Sequence, residues 1–142
     1  VSLPGPVMPT ATLTAHAEPH PVTILLVEDN LANAQLIEAV VARHLPEARL
    51  VSAMQAQLGL DLARRHRPDL ILLDLHLPDK EGDWVLRELQ INLPDLPVIL
   101  LTADAIAAQG DWQARGAFSV LTKPINVSAL LVAMEHALSE RV

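Results

Sequence analysis

The stretch DLILLDLHLP, residues 69–78, decides how this chain folds. Four consecutive aliphatic residues, Leu70 to Leu73, run straight into an acid, Asp74. A strand with one wet face would alternate apolar and polar residues, so a continuous run reads as a strand buried on both faces. The carboxylate then marks the place where the buried strand reaches an edge. The pattern recurs on either side. VTILLV (22–27) runs into Glu28 and Asp29, and PVILLT (97–102) ends in a hydroxyl.

Working outward, helical segments separate the strands. Asn30 caps a helix through about 44, with Leu36, Ile37, Val40 and Val41 on its apolar side. ARLVSA (48–53) is a second strand and 55–67 a second helix. The third helix covers roughly 82–91, and an Ala-rich fourth lies near 104–115. FSVLT (118–122) is the fifth strand. Asn126 caps a last helix whose buried side carries Val127, Leu130, Leu131, Met134 and Leu138. Strands alternating with helices predict an α/β fold with a parallel five-stranded sheet covered on both faces. Right-handed crossovers restrict the topology, and 2-1-3-4-5 is a common order.

The bulk numbers agree with one such domain. There are 142 residues, 51% of them hydrophobic, and the only aromatics are Trp84, Trp112 and Phe118, so the core is aliphatic. The net charge of −7 and the lack of a basic patch argue against nucleic acid as a partner. RRHR at 64–67 reads as a solvated helix end. With no cysteine, disulfides, zinc-thiolate sites and thiol catalysis are excluded. No apolar stretch approaches membrane-spanning length, so no membrane contact by this fragment is expected. Ala15-His16-Ala17 looks like a cleavage site, but no basic or apolar segment precedes it. Residues 1–21 hold five of the eleven prolines and one charge, Glu18, and read as a disordered leader or interdomain linker ahead of a domain over 22–142. The first residue is Val1, not Met, which suggests a fragment.

The polar residues fall at the strand ends. The first strand ends in Glu28-Asp29, the third in Asp74, the fourth in Thr102 and the fifth in Lys123. In a parallel sheet these ends open on one edge, the edge that binds ligands. Three acids at close range repel, and a divalent cation removes the problem. Hard oxygen donors suit Mg2+. A hydroxyl and an ammonium suit phosphoryl oxygens. The set reads as a site for Mg2+ and a phosphoryl group, with one carboxylate as nucleophile. The blander reading makes each acid a turn former or helix cap. Their joint placement at the ends of these strands argues against it.

ILLVEDN, PDLILLDLHLPDKEG, PVILLTAD and GAFSVLTKP together resemble the receiver domain of two-component response regulators, over residues 22–140. The resemblance implies a flavodoxin-like, doubly wound (βα)5 three-layer sandwich in the order 2-1-3-4-5. It implies that Asp74 accepts a phosphoryl group from a phosphohistidine on a histidine kinase or histidine phosphotransfer domain. Glu28, Asp29, Asp74 and the main-chain carbonyl of His76 match the Mg2+ ligands, with Mn2+ as a substitute. Thr102 and Lys123 match the switch hydroxyl and the phosphate-binding lysine, and Lys123-Pro124 the family's cis peptide. His76 and Asp104 match positions that flank the phosphoryl group and tune its hydrolysis. Val120 departs from the pattern, since the family usually has Tyr or Phe there. Phe118 is read on the same strand face, two residues earlier.

The wording VEDNLAN and TKPINVSALL resembles the carboxyl-terminal receivers of hybrid sensor histidine kinases. The resulting expectation is a cytoplasmic receiver, its parent chain compatible with a membrane anchor, and a weak homodimer at most. A stand-alone single-domain regulator and a receiver-like interaction module that is not phosphorylated are the alternatives. A haloacid-type hydrolase needs a second Asp two residues after the nucleophile, where this chain has His76. No glycine-rich phosphate loop is present. His16, His20, His44, His66 and His136 have no second ligand at a metal-binding spacing and read as surface residues.

Overall fold

The computed structural model describes residues 21–140. The leader expected over 1–21 lies, apart from Pro21, outside the described residues. Strands β1 (Thr23–Val27), β2 (Arg49–Ala53), β3 (Leu70–Asp74), β4 (Val98–Thr102) and β5 (Ser119–Thr122) form one sheet in the order β2-β1-β3-β4-β5. All pairings are parallel, with Leu25 opposite Ile71 and Ile71 opposite Val98. Helices α1 (Leu31–His44), α2 (Ala56–His66), α3 (Gly82–Asn92), α4 (Ala105–Ala108) and α5 (Val127–Glu140) follow the strands in turn.

The three interior strands are the three with unbroken apolar runs, and every residue in them is buried. The edge strands β2 and β5 keep exposed or half-buried positions. Successive side chains point to opposite faces. Leu25, Val27, Ile71, Leu73, Val98 and Leu100 pack toward α2 and α3, against Leu60, Val85 and Leu89. Ile24, Leu26, Leu70, Leu72, Ile99 and Leu101 pack toward α1 and α5, against Ile37, Val41, Leu130 and Met134. Each such side chain contributes about 1.5–3 kcal/mol relative to exposure. The two layers therefore clamp the middle of the sheet and fix where its C-terminal edge lies.

Several local expectations need correction. Leu36 is 38% exposed, because the buried stripe of α1 is centred on Ile37 between Val40 and Val41, and Leu36 lies at its border, about 40° outside Val40. In α5 the stripe is Leu130, Ala133, Met134 and Ala137, with Leu131 and Leu138 half-buried beside it and Val127 37% exposed in the first turn. Phe118 precedes β5 and packs in the α1/α5 layer, whereas Val120 packs in the other, so they do not share a face.

The largest difference is α4, expected over 104–115 and found only over Ala105–Ala108. The Ala107 carbonyl accepts from the indole Nε1 of Trp112 at 2.7 Å and from the Gly110 amide at 3.1 Å. Those bonds end the helix before the amide of Asp111 can continue it. Trp112 gains half-burial against the α2/α3 layer by folding back, and Gly110 is a poor residue for prolonging a helix. The remaining element limits differ from the expectation by at most one residue at an end.

Candidate functional site

Because the strands are parallel, their C-terminal ends share one edge, and there the polar residues meet. Asp74, the last residue of β3, is 3% exposed. Glu28 follows β1. Its amide bonds the Ala53 carbonyl at 3.0 Å, and its side chain turns inward while that of Asp29 stays exposed. One oxygen from each of Glu28, Asp29 and Asp74 lies within 4.8 Å of the other two. Lys123 follows β5, with its amide on the Thr102 carbonyl at 2.7 Å. Its ammonium crosses to stand 2.8 Å from Glu28 Oε1 and 3.2 Å from Asp74 Oδ2. The Lys123-Pro124 peptide is cis.

Thr102 ends β4 and is fully buried. Its Oγ1 accepts from the Asp104 amide at 3.0 Å. Asp104 Oδ1 in turn accepts from the amides of Ile106 and Ala107 and so caps α4. On the other side of the site, Asp74 Oδ1 accepts from the His76 amide at 2.9 Å. The His76 side chain is exposed and its Nδ1 lies 3.5 Å from Glu81 Oε2. Val120 lies half-buried in the α2/α3 layer.

The sequence reading did not single out Gly82. A Cβ there would stand 2.7 Å from Leu75 Cα and 2.9 Å from the Asp74 carbonyl oxygen. Both are main-chain atoms, so only glycine lets the first turn of α3 press under the β3 end. A glycine eight residues after the strand-end acid was the available signal. Asp79, also not singled out, is treated below.

Three carboxylates face one ammonium, which leaves a formal excess of two negative charges (three minus one). Burial raises the pKa of Glu28 above its ordinary value, and the neighbouring Asp74 adds to the rise. Lys123 and the Asn30 amide, 3.1 Å from Oε2, pull it back without cancelling it. Burial works against the charged form of Lys123, but the carboxylates of Glu28 and Asp74 outweigh it and the net shift is upward. Glu28 Oε1 is buried and takes no hydrogen bond, since the ammonium beside it forms an ion pair without hydrogen-bond alignment. Three grouped carboxylates, only partly neutralised by Lys123, and an excess charge of two fit a divalent cation that prefers oxygen, such as Mg2+.

Residues 24–135 match the response regulator receiver domain family, and the chain belongs to it. Receiver domains of this family work in two-component systems with histidine kinases or phosphotransfer proteins. Among individual proteins, the chain is 35% identical over 128 residues to the polar-differentiation response regulator DivK of Brucella anthropi, covering 84% of this chain and 98% of that one. It is 32% identical over 123 residues to the probable transcriptional regulatory protein TcrX of Mycobacterium tuberculosis, covering 86% of this chain but only 52% of TcrX. The chain thus spans about half the length of that relative. Among solved structures, the receiver domain of the sensor histidine kinase PA1611 from Pseudomonas aeruginosa superposes with a TM-score of 0.74. The two are 33% identical, over 84% of this chain and 99% of that one. That structure holds a magnesium ion in its active-site cleft.

Proposed function

We propose that this receiver is a phosphorylation switch in which Asp74 accepts a phosphoryl group from a phosphohistidine on a histidine kinase or phosphotransfer domain. The observation that carries the reading is the buried Asp74 carboxylate, held 3.2 Å from Lys123 and grouped with Glu28 and Asp29. An Asp74 oxygen attacks phosphorus. The P–N bond breaks, and the imidazole leaves with the electron pair and takes a proton. Such transfers depend on positioning and charge neutralisation more than on covalent help. Lys123 supplies the ammonium for the phosphoryl oxygens. Thr102 Oγ1 accepts from the Asp104 amide and still has its own proton to donate.

Glu28, Asp29, Asp74 and the His76 carbonyl would hold Mg2+, or Mn2+ in its place. The bound ion would withdraw charge from the phosphoryl oxygens. His76 and Asp104, two residues past Asp74 and Thr102, would set the phosphoryl lifetime. With Val120 replacing an aromatic, output would pass through Thr102 and α4 to the face made by α4, β5 and α5.

The likeness to the PA1611 receiver supports an origin in a hybrid histidine kinase. Residues 1–21 would then be the linker, and the receiver would work in the cytoplasm. Among the described residues no helix is long and apolar enough to cross a membrane. Val120 alone favours the second reading, an interaction module that is not phosphorylated.

The test is intact mass after incubation with Mg2+ and acetyl phosphate, with Asp74→Asn and metal-free samples as controls. A phosphoryl adduct lost in both controls is expected. No adduct from acetyl phosphate or a phosphohistidine donor, and no metal binding, would leave the interaction module.

A further inference from the structure

We propose that Asp79 is a positioning residue for the cation site: its carboxylate struts the 75–81 loop against α2 and so places the main-chain oxygen of His76. The inference rests on the Mg2+ site read above.

Helix α2 begins after Gln55, whose side chain makes no capping hydrogen bond. The first amides of the helix find the Asp79 carboxylate instead. Oδ1 lies 2.7 Å from the Ala56 nitrogen and Oδ2 3.0 Å from the Gln57 nitrogen, across 23 and 22 residues of sequence. Ala56 is fully buried, so water cannot replace that partner. An anion at a helix N-terminus also meets the positive end of the helix dipole. The little burial Asp79 has works against its charge, but the amides of Gln57 and Ala56 outweigh it and hold the carboxyl below its ordinary value.

The contact matters to the loop as much as to the helix. Leu77 is buried, but Pro78, Asp79, Lys80 and Glu81 beyond it are all exposed, so the loop tip has little apolar anchorage of its own. The loop base is tied by the His76 amide on Asp74, by the Gly82 amide on the Leu75 carbonyl at 2.8 Å, and by the pairing of His76 with Glu81. No glycine lies between 75 and 81, and Pro78 has a fixed φ. A fixed tip therefore restricts the carbonyl of His76, three residues away. On the far side, α2 follows β2, whose Ala53 carbonyl receives the Glu28 amide. Asp79 thus closes a ring of contacts that runs from Asp74 through the loop, α2 and β2 back to Glu28. That ring sets the spacing of the oxygens offered from β1 and β3. A helix needing only a cap could take it from residue 55. Here the acid comes from the loop that carries the cation's oxygen.

The test measures the Mg2+ dissociation constant by titration calorimetry and the thermal midpoint of the metal-free protein. The variants are Asp79→Ala, Asp79→Asn and Asp79→Ala combined with Gln55→Ser. Residue 55 has φ −135° and ψ 152°, the extended backbone of an N-cap, so serine there restores a local cap. Asp79→Ala should lower the midpoint and weaken Mg2+ about tenfold, the low end for residues that orient metal ligands. Asp79→Asn should recover part of both. The double variant should recover part of the midpoint, since a serine cap reaches the Gln57 or Leu58 amide but not the buried Ala56 amide, while Mg2+ stays weak. If Mg2+ affinity recovers with the midpoint, or never falls in Asp79→Ala, the residue is a helix cap only and the proposal is overturned. If the unaltered protein binds no Mg2+, the reading of the acidic site fails first and takes this one with it.

Discussion

Two loops leave the C-terminal edge of the sheet from neighbouring strands, and they are held in opposite ways. The loop after β3 is anchored on every side. Leu75 and Leu77 are buried, the Leu75 amide reaches the Leu101 carbonyl at 2.9 Å, and Asp79 grips α2. The segment after β4 is exposed from Ala103 to Ile106, and α4 buries none of its residues. Its side-chain tie to the strand end is the hydroxyl of Thr102, accepting from Asp104. Beyond α4, Trp112 holds the Ala107 carbonyl. One loop therefore presents preset oxygens. The other follows a single hydroxyl, whose own proton a phosphoryl group would draw toward itself. The contrast fits a switch in which one wall stays fixed and the other moves.

The ion pairs that hold Asp74 at the foot of the fixed wall should be the costliest to break. Lys123→Met leaves buried Glu28 and Asp74 without their cation, and should destabilise the metal-free protein by about 3–5 kcal/mol in urea unfolding at pH 7. The folded pKa of Glu28 is raised, so its contribution to stability is full below 4.5 and is lost as pH rises through the folded value. The deficit should therefore shrink on acidification. The folded pKa of Lys123 is also raised, so its contribution is full below 10.5 and is lost as pH rises through the folded value. The gap should close at strongly alkaline pH too. A deficit independent of pH would remove the ion-pair account.

Gly82→Ala sets a Cβ against main-chain atoms of Leu75 and Asp74 and should cost about 1–3 kcal/mol by thermal unfolding. Thr102→Val removes one hydrogen bond of the second wall and should cost about 1 kcal/mol. Its larger effect should be on signalling. In a Trp84→Phe background, Trp112 emission should shift on adding Mg2+ and beryllofluoride, and the shift should vanish with Thr102→Val. An unchanged shift in that variant would show that Thr102 is not the tether. Ile106→Ser, at a side chain 83% exposed on α4, should change stability by no more than about 0.5 kcal/mol. A greater loss would mean that the second wall is packed after all.

Much of this could be read along the chain. Leu70 to Leu73 announced a strand buried on both faces, and Asp74, Glu28, Asp29, Thr102 and Lys123 announced themselves by following such runs. Asn30 was legible as a cap because it reaches only to Asn33, 2.9 Å away and three residues on. The end of α4 was not legible. Alanine content favours helix over 104–115, and only the fold shows that Trp112 can bury its ring by turning back to Ala107. The layer occupied by Phe118 was misread because strict alternation was extended to a residue outside the strand.

The sequence by itself determined the strand pattern, the sheet class and the list of polar groups at one edge. Burial and local capping act between neighbours in the chain, so periodicity carries them. Only the tertiary structure decided which groups pair. Lys123 reaches past β4 to Asp74 at the end of β3 and Glu28 just past β1, and Asp79 caps a helix that begins 23 residues before it. Such bonds join groups whose distance depends on the packing of the whole sheet, and no spacing within the sequence encodes that distance.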